Sequence, residues 1–371
     1  MGHLSAEDRT LLVQSLTAFV RDTWDYETLR RVVTTDTGRK DGWWVRLAQE
    51  IGVLGIAQDE AVGGLGGDLP DLALVAEIFG EHLVNEPLIP CIALAGDLLH
   101  DGGEGATALL SAMVAAEALV APALFERNSR YHAGAIQTVA EPVAEGWRLS
   151  GRKAVVRAAP WASHLVVSAR SGEGLSLFVV PADAPGISQI AYPTYDGQRA
   201  AEVLLDDVIV GMERLIGPVH QALPRIERAL DQASLIQASE AIGLMRHMVA
   251  ATREHLTTRQ QFGQPLSRFQ VLQHRMADMT MALARAEAVT GAALKQVTAG
   301  GQDRARRVSG VKLAVDASAA LVAEGAVQLH GAIGMTEELS VSHAFKRLTL
   351  IQTEFGDTAF HRARIGQRLA A

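Results

Sequence analysis

The chain has 371 residues, 48% hydrophobic and 20% charged, which excludes a disordered protein and suffices for a sizeable core in two or three structural units. Its formal charge of −8 argues against a nucleic-acid partner, because binding a phosphate backbone wants a basic surface, and no basic stripe is visible. Cys91 is the only cysteine, so an intrachain disulfide or a cysteine-rich metal site is excluded, and its own reading is a small buried hydrophobe.

The amino terminus, Met1-Gly2-His3-Leu4-Ser5-Ala6-Glu7-Asp8, lacks a charged-then-apolar signal pattern, and no uninterrupted apolar run is long enough to span a bilayer. The expectation is a soluble, cytoplasmic chain with no membrane partner. From Ser5 to about Ala115 the pattern is helical, with Leu11, Leu12, Leu16, Phe19 and Val20 on one stripe and Leu72, Val75, Ala76 and Phe79 on another. Trp43 to Glu50 reads as a helix stopped by Gly52. Val62-Gly63-Gly64-Leu65-Gly66-Gly67-Asp68 is a glycine-rich loop with neither a preceding dinucleotide-fold strand nor a following Lys-Ser/Thr, so a tight connection is favoured over phosphate binding.

From about Leu119 to Pro218 the periodicity switches to two. Ala135 to Val139, Trp147 to Leu149, Leu165 to Ser168, Leu175 to Val180 and Val203 to Leu205 read as antiparallel strands between Gly, Pro, Asp and Ser clusters. From about Leu223 the chain is helical again, and Val311, Val315, Val322, Ala326 and Leu329 form a stripe that ends in Gln328-Leu329-His330-Gly331-Ala332-Ile333-Gly334-Met335. A glycine break after a helix fits either a simple turn or a close approach by a cofactor. His330 reads as structural, since nothing pairs it with a nucleophile.

Within that last segment, Leu235, Ala238, Ile242, Met245 and Val249 recur at helical spacing, as do Phe269, Leu272, Met276, Met279 and Leu283. Phe262-Gly263-Gln264-Pro265 breaks the helix between them, which predicts a helix–turn–helix with Arg259 at the corner. An Arg there, followed by an exposed aromatic and then Gln270, either clamps a diphosphate through bidentate guanidinium pairing or favours the dipole at a helix C-terminus. The residues alone leave both readings open.

The pattern Arg-x-x-Phe-Gly-x-x-Leu-x-x-x-Gln formed by residues 259–270 resembles the signature of the acyl-CoA dehydrogenase family, flavoproteins that desaturate acyl-CoA thioesters. The resemblance extends to the order of the amino-terminal pieces, to Gly146 to Lys153, to Phe178-Val179-Val180-Pro181, and to Asp196 to Ala201 followed by Glu213 to Gly217. It implies an α+β fold with an N-terminal helical domain over 1–117, a middle antiparallel β-domain over 118–218 and a C-terminal four-helix-bundle domain over 219–371. It also implies FAD as cofactor, an acyl-CoA substrate, electron-transfer flavoprotein or a similar acceptor, and a dimer or tetramer. By the match, Arg259, Phe262 and Gln270 reach across an interface to the diphosphate and adenosine end of a neighbour's FAD. Gln328 and Gly331 belong to the segment that receives the adenosine diphosphate part, with Ala332 in place of the usual second glycine. Asp231 matches an Asp that borders the CoA site, although the Arg usual three residues later is Ser234.

Desaturating an acyl-CoA requires a base for the α-proton while the flavin takes the β-hydride. The family keeps its glutamate at one of two places, which match Phe355 and Ala233. Neither is acidic. Glu354 is adjacent to the first, but one helical step turns a side chain about 100°, so it is not an equivalent base. Glu240 lies on the helix before the corner. Each is expected to be a surface or capping residue, and the catalytic base stays unassigned. On the flavin-ring side, the usual Thr-Glu-Pro aligns with Phe125-Glu126-Arg127 and the usual Trp-Ile-Thr with Val155-Val156-Arg157, and Val155 cannot stack as an indole does.

This kept and degraded pattern resembles one subunit of the heteromeric acyl-CoA dehydrogenases that act on steroid side-chain CoA thioesters. That branch implies an unlike catalytic partner. A homo-oligomer with a relocated base, Glu354 or Glu240, and a flavin-free structural subunit are the alternatives.

Overall fold

A computed structural model describes residues 4–300 and 303–369, so Met1-Gly2-His3 of the amino-terminal reading lies outside the described residues. In chain order the helices are α1 (Ala6–Thr23), α2 (Tyr26–Thr34), α3 (Trp43–Glu50), α4 (Leu69–Glu81), α5 (Gly96–Leu99), α6 (Glu104–Val114), α7 (Leu223–Thr258), α8 (Gln270–Thr298), α9 (Arg304–His330), α10 (Ser340–Ile351) and α11 (Thr358–Leu369). Between α6 and α7 lie β1 (Val120–Ala123), β2 (Val139–Val143), β3 (Gly146–Arg157), β4 (His164–Ser171), β5 (Gly174–Pro181), β6 (Ile187–Pro193), β7 (Arg199–Val210) and β8 (Leu215–Ile216). The expected succession of helical, β and helical segments is present. Two compact units divide the described residues: 4–8, 32–68 and 86–233 form one, and 9–31, 69–85, 234–300 and 303–369 the other.

The first unit holds the sheet, in the order β6-β7-β3-β2-β4-β5-β8 with β1 on β4. Most pairings are antiparallel, as the alternation requires, but β1 and β2 each pair parallel with β4, so the sheet is mixed rather than wholly antiparallel. The proline-containing β1 was not legible as a strand. It pairs with one neighbour, a position that tolerates the missing Pro122 donor. The expected strand Ala135–Val139 begins only at Val139, because the amides of Gln137 and Thr138 donate to the Glu126 carboxylate at 2.8 and 2.9 Å instead of to a ladder. Trp147 and Phe178, their ring centroids 5.5 Å apart, anchor the core with Leu149, Leu165, Val167 and Val203. Cys91 is buried in a π-helical segment, Leu88–Ala95, and burial pushes its thiol pKa up, which makes it an inert hydrophobe.

In the second unit the stripe Leu72, Val75, Ala76 and Phe79 of α4 is buried, as are Leu16, Phe19 and Val20 of α1, whereas Leu11 is exposed. The helix α4 crosses α7 so closely that each helix needs a glycine. A Cβ on Gly80 would sit 2.1 Å from the Glu240 carbonyl oxygen, and one on Gly243 would sit 2.0 Å from that of Glu77. Along α9, Val311, Val315, Val322, Ala326 and Leu329 are all buried, and α9 packs against α8, α10 and α11. Among the described residues no helix is long and apolar enough to cross a membrane.

Candidate functional site

The corner between α7 and α8 is built differently from the expected simple break. The last turn of α7 closes with the Arg259 amide donating to the His255 carbonyl at 2.9 Å, and the chain then makes a short hairpin pairing Gln260–Gln261 with Gln264–Pro265. Both central residues are left-handed, Phe262 at φ 53° and Gly263 at φ 77°, which is the backbone of a tight hairpin turn. Glycine adopts that region freely, whereas a bulky aromatic does so at a cost. The Phe262 ring is 89% exposed and meets Phe269 edge-on at 6.0 Å. Phe269 is the N-cap of α8 rather than a member of its stripe, and no side chain caps that end, so Gln270 opens the helix with its positive dipole end uncovered. Arg259 is exposed, and its guanidinium enters no ion pair among the described residues.

The second predicted segment ends α9. Gly331 terminates the helix at φ 70° and ψ −149°, a conformation closed to residues with a Cβ, while its amide bonds back to the Gln328 and Val327 carbonyls. Gln328, Gly331 and Ala332 are exposed, and a Cβ on Gly331 would meet nothing within 4 Å. The glycine is therefore required by its dihedrals, and space beside it is open. His330 is buried, with Nδ1 donating to the Ala326 carbonyl at 2.8 Å, which bears out a structural role. Its ring stacks on His255 of α7 at 4.5 Å and 29°, so the last turns of α7 and α9 lie side by side. That contact, invisible to helical periodicity, brings the Arg259 corner and the Gly331 break to one end of this unit. An exposed cation, an exposed aromatic, two exposed amides and an open glycine fit the adenosine diphosphate part of FAD.

The two carboxylates considered as relocated bases are not surface or capping residues. Arg347, 7% exposed, donates from Nε and Nη2 to the two oxygens of Glu240 at 2.7 Å each, and from Nη1 to Glu354 at 2.9 Å. Glu240 is 8% exposed, and Glu354 also accepts from the Gln237 amide. Beside them the buried Lys312 donates to Asp316 at 2.8 Å and to the Ile351 carbonyl at 2.5 Å. A general base needs a lone pair facing substrate, whereas Arg347 engages both oxygens of Glu240 and one of Glu354. Arg347 stands on α10 and Glu354 in the turn three residues beyond its end, so helical spacing gave no signal for this cluster. Phe355 is half-buried in the left-handed region at φ 57°, and Ala233 is fully buried.

On the first unit, Glu126 is a staple for the segment it sits in. It accepts from the Thr138 hydroxyl at 2.6 Å and from the fully buried Lys153 at 2.9 Å, and Lys153 also donates to Ser168 at 3.2 Å. Burial is the largest influence on Lys153 and lowers its pKa to about 8, against the pull of Glu126. Val155 stands in a bulge of β3 at φ 51° and is exposed, with no aromatic surface to offer a flavin ring. This side does not match the ring-facing residues of the resemblance. The glycine-rich loop spends its amides on its own chain, Leu65 on the Gly55 carbonyl, Gly66 on Gln58 and Gly67 on Ile56, and so is a tight connection. Asp231 is 2% exposed on α7.

Two family models match the chain: the acyl-CoA dehydrogenase middle domain over residues 121–208 and the acyl-CoA dehydrogenase C-terminal domain over residues 223–370. The chain belongs to the acyl-CoA dehydrogenase family, which are FAD-dependent oxidoreductases. Among curated relatives it is similar to a probable acyl-CoA dehydrogenase, YngJ of Bacillus subtilis, with 29% identity covering 86% of this chain and 87% of the relative. Among solved structures it resembles a variant of the Tcur3481-Tcur3483 steroid ACAD, with 30% identity, a TM-score of 0.89 and 98% of each chain covered. The ChsE4-ChsE5 complex from Mycobacterium tuberculosis shares the fold at 22% identity and a TM-score of 0.88, covering 100% of this chain and 99% of that one.

Proposed function

We propose that this chain is one subunit of an acyl-CoA dehydrogenase that desaturates an acyl-CoA thioester beside an unlike chain, which supplies the α-proton base. The observation that carries the reading is the division within its own residues. Arg259, Phe262, Gln270, Gln328 and Gly331 are exposed where a neighbour's cofactor would lie, whereas both places for the base hold apolar side chains. FAD, when bound, supplies the acceptor for the β-hydride. The part played by this chain is binding. The Arg259 guanidinium pairs with diphosphate oxygens, Phe262 covers the adenosine end, Gln270 and Gln328 offer amide donors, and Gly331 leaves room for close approach. Asp231 borders the CoA path.

The Tcur3481-Tcur3483 steroid ACAD, whose name joins two chains, supports an unlike partner and makes steroid side-chain thioesters the first substrate class to try. An electron-transfer flavoprotein or similar acceptor completes the turnover. The test is the absorbance spectrum and its bleaching by acyl-CoA, measured on this chain alone and with the products of neighbouring genes. Flavin retention and bleaching that need the second chain are expected. Bleaching and turnover by this chain alone would favour the homo-oligomer. In the assembled enzyme, Arg259→Ala removes a charge-assisted contact worth about 1.5–3 kcal/mol and weakens FAD binding to match, roughly 10- to 150-fold by equilibrium titration.

A further inference from the structure

The stacked His255 and His330 rings are used by nothing described so far. They stand beside Arg259, whose guanidinium enters no ion pair among the described residues, and that cation disfavours a charge on His255. The ring pair is well defined: centroids 4.5 Å apart, planes within 29° of parallel, one ring from the last turn of α7 and the other from the last turn of α9. The carbonyl of Ala326 only accepts, so His330 carries a proton on Nδ1. Arg259 follows His255 by one helical turn, and Gly331 is the residue after His330. The ring contact therefore links the turn that carries Arg259 to the turn that ends at Gly331.

We infer that His255 and His330 are a positioning pair for the cofactor half-site, and that His255 takes up a proton when a diphosphate binds beside Arg259. This rests on the half-site reading proposed above. The groups acting on the His255 ring are His330 across from α9 and Arg259 on α7, and burial, His330 and Arg259 in that order all hold its pKa below the ordinary imidazole value. Because its pKa is held below the ordinary imidazole value, the His255 ring is neutral near pH 7 when no anion is bound. A diphosphate brings negative charge to the same place, which removes the penalty for protonation and draws a proton from solvent onto the imidazole. By linkage, uptake of a proton on binding makes affinity rise as pH falls. With no anion bound the sign reverses: a histidine whose folded pKa is depressed adds stability above its unfolded pKa and loses it as pH drops below about 6.5.

The experiment uses the assembled enzyme stripped of flavin, with FAD affinity followed by fluorescence from pH 6 to pH 8.5. Wild type is expected to bind FAD about 3- to 10-fold more tightly at the acid end, since one proton gives at most tenfold per pH unit. His255→Phe keeps an aromatic stack and removes the titration, so its affinity at pH 8.5 stays within about twofold of wild type while the pH slope disappears. His255→Ala loses both the stack and the slope and binds more weakly at every pH. A wild-type slope in His255→Phe, or wild-type affinity in His255→Ala, overturns the inference. The unsubstituted enzyme with histidine-selective labelling gives an independent measure by NMR: addition of ADP raises the His255 pKa, and no rise overturns the inference as well. Arg259→Ala separates the two levels. If it weakens FAD binding while the histidine variants behave as wild type, the ring pair fails alone; if it leaves FAD binding unchanged, the half-site reading fails and takes the ring pair with it.

Discussion

Glu240 and Glu354 show how a residue's chemistry is decided by its nearest partner. Both carboxylates sit on one buried guanidinium, and removing either leaves Arg347 undercompensated rather than removing a catalyst. Glu240→Gln and Glu354→Gln are therefore expected to lower folding stability in denaturant titrations. They should leave the turnover of the folded, partnered enzyme within a few-fold of wild type, whereas loss of a true base costs about 100- to 10,000-fold. A loss of that larger size, with FAD bound and the assembly intact, would assign the base to that residue. Phe262 makes the complementary case. Its left-handed backbone and 89% exposed ring serve neither the core nor the turn. Phe262→Asn, a residue that tolerates that region, is expected to match or exceed wild-type stability by up to about 1 kcal/mol while weakening flavin retention. A stability loss on thermal melting would show that the ring is structural instead.

At the scale of elements, the second unit depends on a close crossing of α4 and α7 at Gly80 and Gly243. Alanine is ordinarily the better helix former, which would favour Gly243→Ala by about 1 kcal/mol. Here the new Cβ would lie 2.0 Å from the Glu77 carbonyl, and a backbone atom in a packed helix cannot swing aside. The overpacking cost wins, and Gly243→Ala is expected to destabilise by about 1–3 kcal/mol or more in urea titration. Neutral behaviour would mean that the helices separate easily. The crossing also explains why Arg246 is placed where it is. It reaches Glu77 at 3.2 Å, Glu81 at 3.3 Å and Glu287 at 2.8 Å, and so ties α4 and α8 to α7 by one side chain.

For the whole molecule, the proposed cofactor residues act toward a neighbour, so activity should require assembly. A dimer or tetramer is expected by analytical ultracentrifugation of the partnered protein, with turnover lost on dilution in step with dissociation. Turnover by a monomer at micromolar concentration would sink the shared-site reading. The succession of helical, β and helical segments was legible from periodicity, because burying one face of a helix or strand leaves a repeat in the chain itself. The Arg259 corner was legible too, since Gly263 and Pro265 mark a break by local backbone chemistry. What only the tertiary structure decided were contacts between residues far apart in sequence: Glu126 claiming the amides that would have begun β2, β1 and β2 running parallel to β4, Arg347 closing on Glu240, and His255 stacking on His330. Such contacts depend on which side chains the folded backbone brings within a few ångströms, and a one-dimensional pattern carries no record of that distance.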